Sequence, residues 1–438
     1  MAFSYKFIIF FIFMHSNINA HRWPWVVTPS TSSIVSFNKK LVIRSHSYLC
    51  KSIISARINY LFPGEINFKS VSQQKNISKK HSISVRVLLA ECDSVSSAQW
   101  FFNSSDGFIV QFSNGNDGVV KKKIKIKECT ISVKRGCLFY NGKRLKAAIH
   151  LRPISAHGAC NGTLYDGDFL IIPYKSTVLC INKVDLEDYI TAVLKTESWP
   201  GWPLEVNKVF AVACRSYVMF KILEAYRSSR PFHVKNTNVH QTYQGRHELP
   251  VLRAAVEQTR GIVLGFNGKP ILAMFDCCCG GIIPAHIDDF DFSKAPYLAR
   301  TYACTYCKEF ALYSWQVLYE YAVFEQLIKQ QQDNFTKLHE VCITKRDRAG
   351  LVTEVRFDGP KYNVAISGKK LYSMLKEVKS FYFDVSKKAG KVIFTGRGFG
   401  HHIGLCQWGA FRQVLNGSDF RSILRFYYPG VYFMRLRG

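Results

Sequence analysis

The pattern of hydrophobic and polar positions predicts short strands first and helices further along the chain. From residue 83 onward, brief apolar runs alternate with turn residues, as is typical of β-strands. Helical spacing of apolar residues begins after Asp185, a suitable N-cap, and Trp199-Pro200-Gly201 ends that helix. The predicted strands cover residues 85–89, 107–112, 169–173, 178–181, 262–266 and 271–275, with turns at 115–118 and Asn267-Gly268.

Together these elements predict an α+β, β-rich fold. A second helix is expected from about Pro203, and a helical insertion is expected near residues 310–340, with a Gln-rich helix over 315–332. Strands are expected to surround the short helical segment that ends near Glu197 and to form a groove with it. Residues 83–182 are predicted to be a β-rich N-terminal part, and residues 183–438 the region that carries the candidate functional residues.

The N-terminus predicts export. Lys6 precedes an apolar run over residues 7–14, and small or polar residues then lead to Ala20, which matches a signal peptide over residues 1–20. An uncleaved N-terminal anchor is the alternative, and it would leave the same folded part outside the membrane. Residues 21–82 are basic and Ser-rich and are predicted to form an irregular arm. No later segment reaches the roughly 18 apolar residues that a spanning helix needs.

The charge balance is strongly basic, with 59 Lys and Arg against 31 Asp and Glu and a net charge of +28. A hydrophobic fraction of 47% nevertheless indicates a folded chain. In residues 121–127 lysine alternates with isoleucine, which predicts an exposed strand with one buried face. These lysines either protect a sheet edge or attract an anionic envelope polymer. Predicted export and the lack of a recognisable nucleic-acid module argue against nucleic-acid binding.

Glu197 is a candidate acid, although an isolated Glu shortly before a Pro is more often a surface residue at a helix end. It stands at a predicted helix end and is followed by Ser198, Trp199, Pro200 and Trp202. Apolar surroundings disfavour the charged carboxylate and raise its pKa, which is the condition that a general acid needs near neutral pH.

The most informative segment is residues 396–410, where five glycines alternate with Arg, His, Gln and Trp. Glycines allow close approach of the backbone, while polar side chains and an aromatic ring can line a groove. Carbohydrate sites are commonly built in this way. A phosphate-binding loop is disfavoured because no Lys-Ser or Lys-Thr pair follows.

The order of motifs resembles the SpoIID/LytB family, the stage II sporulation protein D type of peptidoglycan-cleaving protein. The matching segments are Val-Asp-Leu-Glu-Asp-Tyr at 184–189, Glu-Ser-Trp-Pro at 197–200, Ala-Val-Ala-Cys-Arg-Ser-Tyr at 211–217, Gln-Thr-Tyr-Gln-Gly at 241–245, Thr-Arg-Gly at 259–261, residues 275–281, residues 396–410 and Phe-Tyr-Tyr-Pro-Gly at 426–430.

This resemblance implies a lytic transglycosylase that acts on peptidoglycan strands already stripped of stem peptides, after a partner amidase. It implies Glu197 as the catalytic acid, and the protein is then expected on the periplasmic or envelope side of a bacterial inner membrane. One carboxyl group can serve both steps, because it protonates the glycosidic oxygen and then deprotonates the muramyl 6-hydroxyl, which closes a 1,6-anhydro ring. The matching motifs supply the candidate substrate-binding residues Arg215, Gln241, Tyr243, His401, Gln407 and Trp408. A catalytically weak protein that binds peptidoglycan and stimulates an amidase is the alternative.

The sequence departs from the family pattern near its cysteines. Asp276 stands where many members carry His, and His402 stands where Gly is usual. Cys-Gln-Trp at 406–408 replaces Ser-Gln-Tyr. Some members bind zinc near this group, and the spacing permits a structural zinc site formed by Cys277, Cys279, Cys304 and Cys307. A local disulfide is equally compatible with export, so both arrangements stay open. Catalysis itself is expected to need no cofactor.

Overall fold

A computed structural model of the protein describes residues 83–113, 120–330, 335 and 337–436. The predicted signal peptide, the predicted basic arm and the predicted turn at 115–118 lie outside these residues, as do the side chains of residues 120–123. Among the described helices, none combines the length and the apolar character needed to cross a bilayer.

The fold is α+β and rich in strands, as predicted. The helices of the described residues are α1 (Leu186–Glu197), α2 (Leu204–Arg227), α3 (Pro250–Gln258), α4 (Tyr321–Lys329), α5 (Gly368–Met374), α6 (Gln407–Leu415) and α7 (Phe420–Tyr427), with 3-10 turns at Pro284–His286 and Pro296–Leu298. The strands are β1 (Ser84–Cys92), β2 (Ser97–Ser113), β3 (Val120–Lys134), β4 (Cys137–Tyr140), β5 (Lys143–Leu145), β6 (Ala148–Pro153), β7 (His157–Cys160), β8 (Thr163–Asp166), β9 (Asp168–Tyr174), β10 (Thr177–Asp185), β11 (Val234–Lys235), β12 (Ile262–Phe266), β13 (Lys269–Pro270), β14 (Phe275–Asp276), β15 (Ser314–Glu320), β16 (Glu340–Arg346), β17 (Val352–Asp358), β18 (Asn363–Ser367), β19 (Phe383–Lys388), β20 (Lys391–Arg397), β21 (Leu405–Cys406) and β22 (Tyr432–Arg435).

One large sheet forms the N-terminal part, with strand order β11-β1-β10-β9-β6-β2-β3-β4-β5 and with β7 and β8 attached beside β2. Many of its buried residues share a core with α1, α2, α3, α6 and α7. A second, smaller cluster consists of Leu88, Leu170, Ile172, Leu179, Ile181 and Phe232. Helix α2 is buried on nearly all sides, because other elements pack around most of its circumference. The sheet therefore serves as the support on which the helices that carry the motifs are placed.

The basic run lies in β3, where Lys125 and Lys127 are exposed and Ile124 and Ile126 are half-buried. Strand β4 pairs only with Ile131–Lys134, so the earlier part of β3 has a hydrogen-bonded neighbour on one side alone within the described residues. This geometry agrees with edge protection by lysine. Attraction to an anionic polymer stays a prediction.

The helix and turn signals near the motifs are confirmed. Helix α1 begins after Asp185, whose Oδ1 accepts a hydrogen bond from the Glu187 N–H at 2.8 Å. Pro203 precedes the first residue of α2. Asn267 and Gly268 both have positive φ, and they connect β12 to β13 in a tight hairpin.

Two element predictions are wrong in part. Residues 271–274 form no strand; only Phe275–Asp276 pairs, in parallel with β21. Residues 314–320, the start of the predicted Gln-rich helix, form strand β15, because alternate side chains starting at Trp315 point into a core and the strand pairs with β20. Helix α4 follows.

The insertion is therefore a second lobe, defined here as residues 314–397. Two three-stranded sheets build it, with orders β15-β20-β19 and β16-β17-β18, together with α4 and α5. Most of its buried apolar residues, among them Trp315, Phe324, Phe357 and Phe394, form a hydrophobic core of their own, whereas Leu351 belongs to the main core.

A buried ion pair joins α1 to α2. The Arg215 side chain is fully buried and donates to both carboxylate oxygens of Glu187, with an Nη2 to Oε2 distance of 2.6 Å. The Gly261 N–H also donates to Glu187, at 3.0 Å, and Arg215 donates to the Ile262 carbonyl at 3.1 Å. This pair therefore connects both helices to the start of β12.

Replacing Arg215 with Ala leaves the buried Glu187 carboxylate without its cation. We expect the free energy of unfolding to fall by about 3–5 kcal/mol, measured by denaturant titration. The double variant Arg215→Met with Glu187→Leu should cost clearly less than Arg215→Ala, since neither charge is then left unpaired. An equal loss in both variants would contradict this interpretation of the pair.

Candidate active site

Glu197 is the last residue of α1, and its side chain is half-buried. Its Oε1 accepts a hydrogen bond of 2.6 Å from the Thr242 N–H. Burial raises the pKa of Glu197 to about 7, although the hydrogen bonds from Thr242 oppose the rise. At neutral pH this carboxyl group can therefore both hold and accept a proton, as a single acid and base must.

The loop that carries Thr242 is fixed on both sides of that residue. Thr196 Oγ1 donates to the Thr242 carbonyl at 2.6 Å. Gln241 Oε1 accepts from the Tyr189 hydroxyl at 2.9 Å, and the Tyr243 hydroxyl donates to Asn182 Oδ1 at 2.7 Å. The Thr242 N–H is thereby held in place against Glu197.

Three predicted substrate-binding residues lie inside the protein. Arg215 is fully buried in its ion pair with Glu187, and Gln241 and Tyr243 are each 1% exposed. Their polar atoms are bonded to other protein groups, so they are placed to support the site rather than to touch a ligand. Thr242, between the last two, makes the contact that the sequence analysis missed.

The glycine-rich segment reaches Glu197 from the other side. Gln407, the first residue of α6, donates from Nε2 to the Glu197 carbonyl oxygen at 3.0 Å. His401 is half-buried, and burial lowers its pKa to about 4, opposed by a hydrogen bond to the Phe275 carbonyl. Its Nδ1 accepts from the Ile403 N–H at 3.1 Å, so the imidazole is neutral near pH 7.

Two of the three departures from the family pattern, Asp276 and His402, contact each other. The Asp276 side chain is 4% exposed, and its Oδ2 accepts from the His402 N–H at 2.7 Å. His402 has a φ of 65°, a left-handed conformation that glycine adopts more easily, which is a physical reason for Gly at this position. Burial raises the pKa of Asp276 well above its ordinary value.

Aromatic side chains surround the end of α1. Trp202 stacks on Phe411 at a centroid distance of 5.2 Å and meets Trp408 edge-on at 5.5 Å. Phe310 lies flat on Trp408 at 4.0 Å, and Trp199 lies against Trp202. We call these five residues the aromatic cluster. Trp408, a predicted substrate-binding residue, is half-buried within it.

Four buried cysteines converge behind this region. The sulfur atoms of Cys279, Cys304, Cys307 and Cys406 all lie within 4.8 Å of one another. Cys406 replaces Cys277 in the predicted set: Cys277 does not belong to the group, and its carbonyl accepts from the Trp408 N–H. No sequence signal had linked Cys406 to cysteines so distant along the chain.

The chemistry of the group fits a metal. Cys406 Sγ accepts from the backbone N–H groups of Cys279 and Gly409, both at 3.3 Å, although burial raises the pKa of this thiol well above its ordinary value. A hydrogen bond from Cys279 lowers the pKa of the Cys304 thiol. Four thiols in one compact group are the ligands that tetrahedral structural zinc prefers.

Two family models match this chain. The family model described as stage II sporulation protein, SpoIID, matches residues 174–266, which contain α1, Glu197 and α2. A model for a domain of unknown function, DUF8618, matches residues 301–404, which contain the second lobe.

Three relatives extend the likeness. An uncharacterized protein of Brachyspira hyodysenteriae is 32% identical, over 62% of this chain and 72% of that protein. A stage II sporulation protein D of Bacillus subtilis is 24% identical, over 65% of this chain and 84% of its own length. The amidase enhancer of Bacillus subtilis is 26% identical, over 55% of this chain and 39% of its own length. The family model lies over the helix that ends at Glu197, and the Brachyspira relative exceeds 30% identity over most of its length, so this chain belongs to the SpoIID family.

Proposed function

We propose that this protein is a lytic transglycosylase that cleaves peptidoglycan glycan strands outside the cytoplasmic membrane, with Glu197 as its catalytic acid and base. The observation that carries the proposal is the placement of Glu197, half-buried beside an aromatic cluster with a pKa of about 7. The similarity to stage II sporulation protein D and to an amidase enhancer supports a role at the cell wall.

The proposed reaction uses one carboxyl group twice. Protonated Glu197 donates its proton to the glycosidic oxygen as the bond from that oxygen to the muramyl C1 breaks. The resulting carboxylate accepts the proton of the muramyl 6-hydroxyl, whose oxygen bonds to C1 and closes the 1,6-anhydro ring. Glu197 ends protonated, as it began, and no water is consumed.

The surroundings of Glu197 suit this cycle. Hydrolytic glycosidases use a second carboxyl group, either to activate water or to act as nucleophile. Within the described part of the chain, no neighbouring carboxylate contributes to the pKa shift of Glu197. The Thr242 N–H stabilises the ionised form that exists between the two proton transfers. Gln407 holds the backbone of Glu197 in place against α6.

A second function remains in competition. The relative named amidase enhancer supports a protein that binds peptidoglycan and stimulates an amidase, with little cleavage of its own. In both functions an amidase is the expected partner. The two differ in their products, because only the transglycosylase generates anhydro-muramyl ends.

We also propose that zinc is bound by Cys279, Cys304, Cys307 and Cys406. A zinc ion there would crosslink the segment after β14, the segment before the second lobe and the start of α6. Its contribution would be to folding, and Glu197 would carry the chemistry. A disulfide within the same group is the alternative.

Glu197→Gln keeps the size of the side chain but removes the transferable proton. We expect cleavage of amidase-treated sacculi to fall at least about 10²–10⁴-fold while binding to the sacculi persists. The products are anhydro-muramyl fragments, measured by chromatography and mass spectrometry. Glu257→Gln, on the exposed side of α3, is the matched control and should cleave normally. Near-normal activity of Glu197→Gln would rule out the assignment, and no anhydro products from the unaltered protein would favour the amidase-stimulating function.

The pKa of Glu197 predicts how cleavage depends on pH. The reaction starts from protonated Glu197, so kcat/KM should fall as pH rises through about 7, with the slope of a single proton. The measurement is a pH profile of anhydro-product formation between pH 5 and 9, a range set to bracket that value. A flat profile over this range would show that the proton donor is a different group.

Zinc binding predicts different outcomes for two neighbouring cysteines. Cys406→Ser should lose about one zinc per chain and lower the melting temperature, whereas Cys277→Ser should retain the metal, because its thiol lies outside the group. Zinc is measured by elemental analysis of the purified protein. Stability that is sensitive to reductant but not to a chelator, with no zinc present, would establish the disulfide instead.

A further inference from the structure

Trp199 lies at the surface two residues after Glu197. Its side chain is 52% exposed, whereas Trp100, Trp202 and Trp315 are at most 8% exposed. Among the tryptophans that the structure describes, Trp199 alone is largely open to solvent. Large apolar groups in contact with water are costly, and exposed aromatic surface beside a reactive group commonly marks a binding site. Nothing in the mechanism of Glu197 uses this ring.

The ring of Trp199 is supported from behind. It lies nearly parallel to Trp202, with an interplanar angle of 17° and a centroid distance of 6.0 Å. Trp202 is itself buried against Phe411 and Phe210. Trp408 meets Trp199 at a steep angle of 65°, with centroids 6.4 Å apart. One face of Trp199 is therefore occupied by protein.

Backbone hydrogen bonds fix the turn that carries Trp199 relative to the end of α1. The Trp202 N–H donates to the Trp199 carbonyl at 2.9 Å, which closes a turn through Pro200 and Gly201. The N–H of Ser198 remains bonded to the Leu194 carbonyl, so the turn continues directly from α1. Because these bonds lie on both sides of it, the backbone of Trp199 is held at a set position from the backbone of Glu197, and Trp202 and Trp408 contact its ring.

On the basis of the proposed function, we propose that Trp199 is a stacking platform for one pyranose ring of the glycan, next to the bond that Glu197 cleaves. One face of a β-linked pyranose presents several C–H groups, which carry slight positive charge. The face of an indole carries the opposite charge, so the two surfaces attract in water and exclude it. A platform of this kind recognises the sugar ring itself, and it needs no stem peptide.

A tetrasaccharide of alternating N-acetylglucosamine and N-acetylmuramic acid, without stem peptide, is the probe. Calorimetry is carried out on the full chain bearing Glu197→Gln, so that the probe is not cleaved. Trp199→Ala should weaken binding by about 10-fold, and Trp199→Phe, which keeps a ring, should weaken it less. Trp199→Leu keeps apolar contact with Trp202 without an aromatic face, so it should bind nearly as weakly as Trp199→Ala.

Tyr362→Ala is the matched control, since Tyr362 is a 42% exposed aromatic residue in the second lobe. It should bind the probe as the parent does. Full affinity in Trp199→Ala or in Trp199→Leu would overturn the platform. If Trp199→Ala fails to fold, Trp199→Leu decides alone. If the affinity for the probe is unchanged but amidase stimulation is lost, Trp199 contacts a protein partner instead and the proposal is wrong.

The failure of the proposed function is separable from these outcomes. Normal cleavage by Glu197→Gln would overturn the assigned acid, and the Trp199 variants would then be compared through their KM for the same tetrasaccharide, where Trp199→Ala should still raise KM. A parent chain that binds no stem-peptide-free glycan would overturn both proposals together.

Discussion

Three segments that are far apart in the sequence contact one another at Glu197, and the geometry of the candidate site depends on these contacts. The carboxyl group of Glu197 receives the Thr242 N–H, and the backbone carbonyl of the same residue receives the Gln407 side chain. The first bond measures 2.6 Å and the second 3.0 Å, so the carboxyl group is tied to the loop at 241–243 and the backbone of Glu197 is tied to α6. Burial at this junction is also the cause of the raised pKa of Glu197. The chemistry and the tertiary structure thus have a common origin.

Local signals were sufficient to predict the elements that place Glu197. The N-cap of α1 at Asp185 and the break at Trp199-Pro200-Gly201 depend on neighbouring residues, and both are readable in the sequence. The Asn267-Gly268 hairpin is predictable for the same reason, since its backbone conformation demands those residue types. These signals place Glu197 at a helix end, whereas its role as the acid was implied by the family resemblance.

The remaining features are properties of tertiary packing. Arg215, Gln241 and Tyr243 carry polar groups within family motifs, and nothing in the sequence distinguishes a ligand contact from a buried bond to another segment. Cys406 joins Cys279 only because β14 and β21 pair in parallel, which brings together residues more than a hundred positions apart. Strand β15 was mistaken for helix because the glutamines that follow it favour helix, whereas the alternation that starts at Trp315 favours the sheet.

The position of the second lobe in the chain determines how much a change in its length would cost in chain entropy. The second lobe lies between two members of the cysteine group, Cys307 before it and Cys406 after it, and most of its buried residues form their own core. The two ends of the segment between Cys307 and Cys406 are therefore close together in space. The entropic cost of closing such a segment changes only slowly with its length. Insertions or deletions inside the lobe should therefore cost little closure entropy, provided that they spare its contacts with the main part, such as the hydrogen bond from the Gly400 N–H to the Lys379 carbonyl.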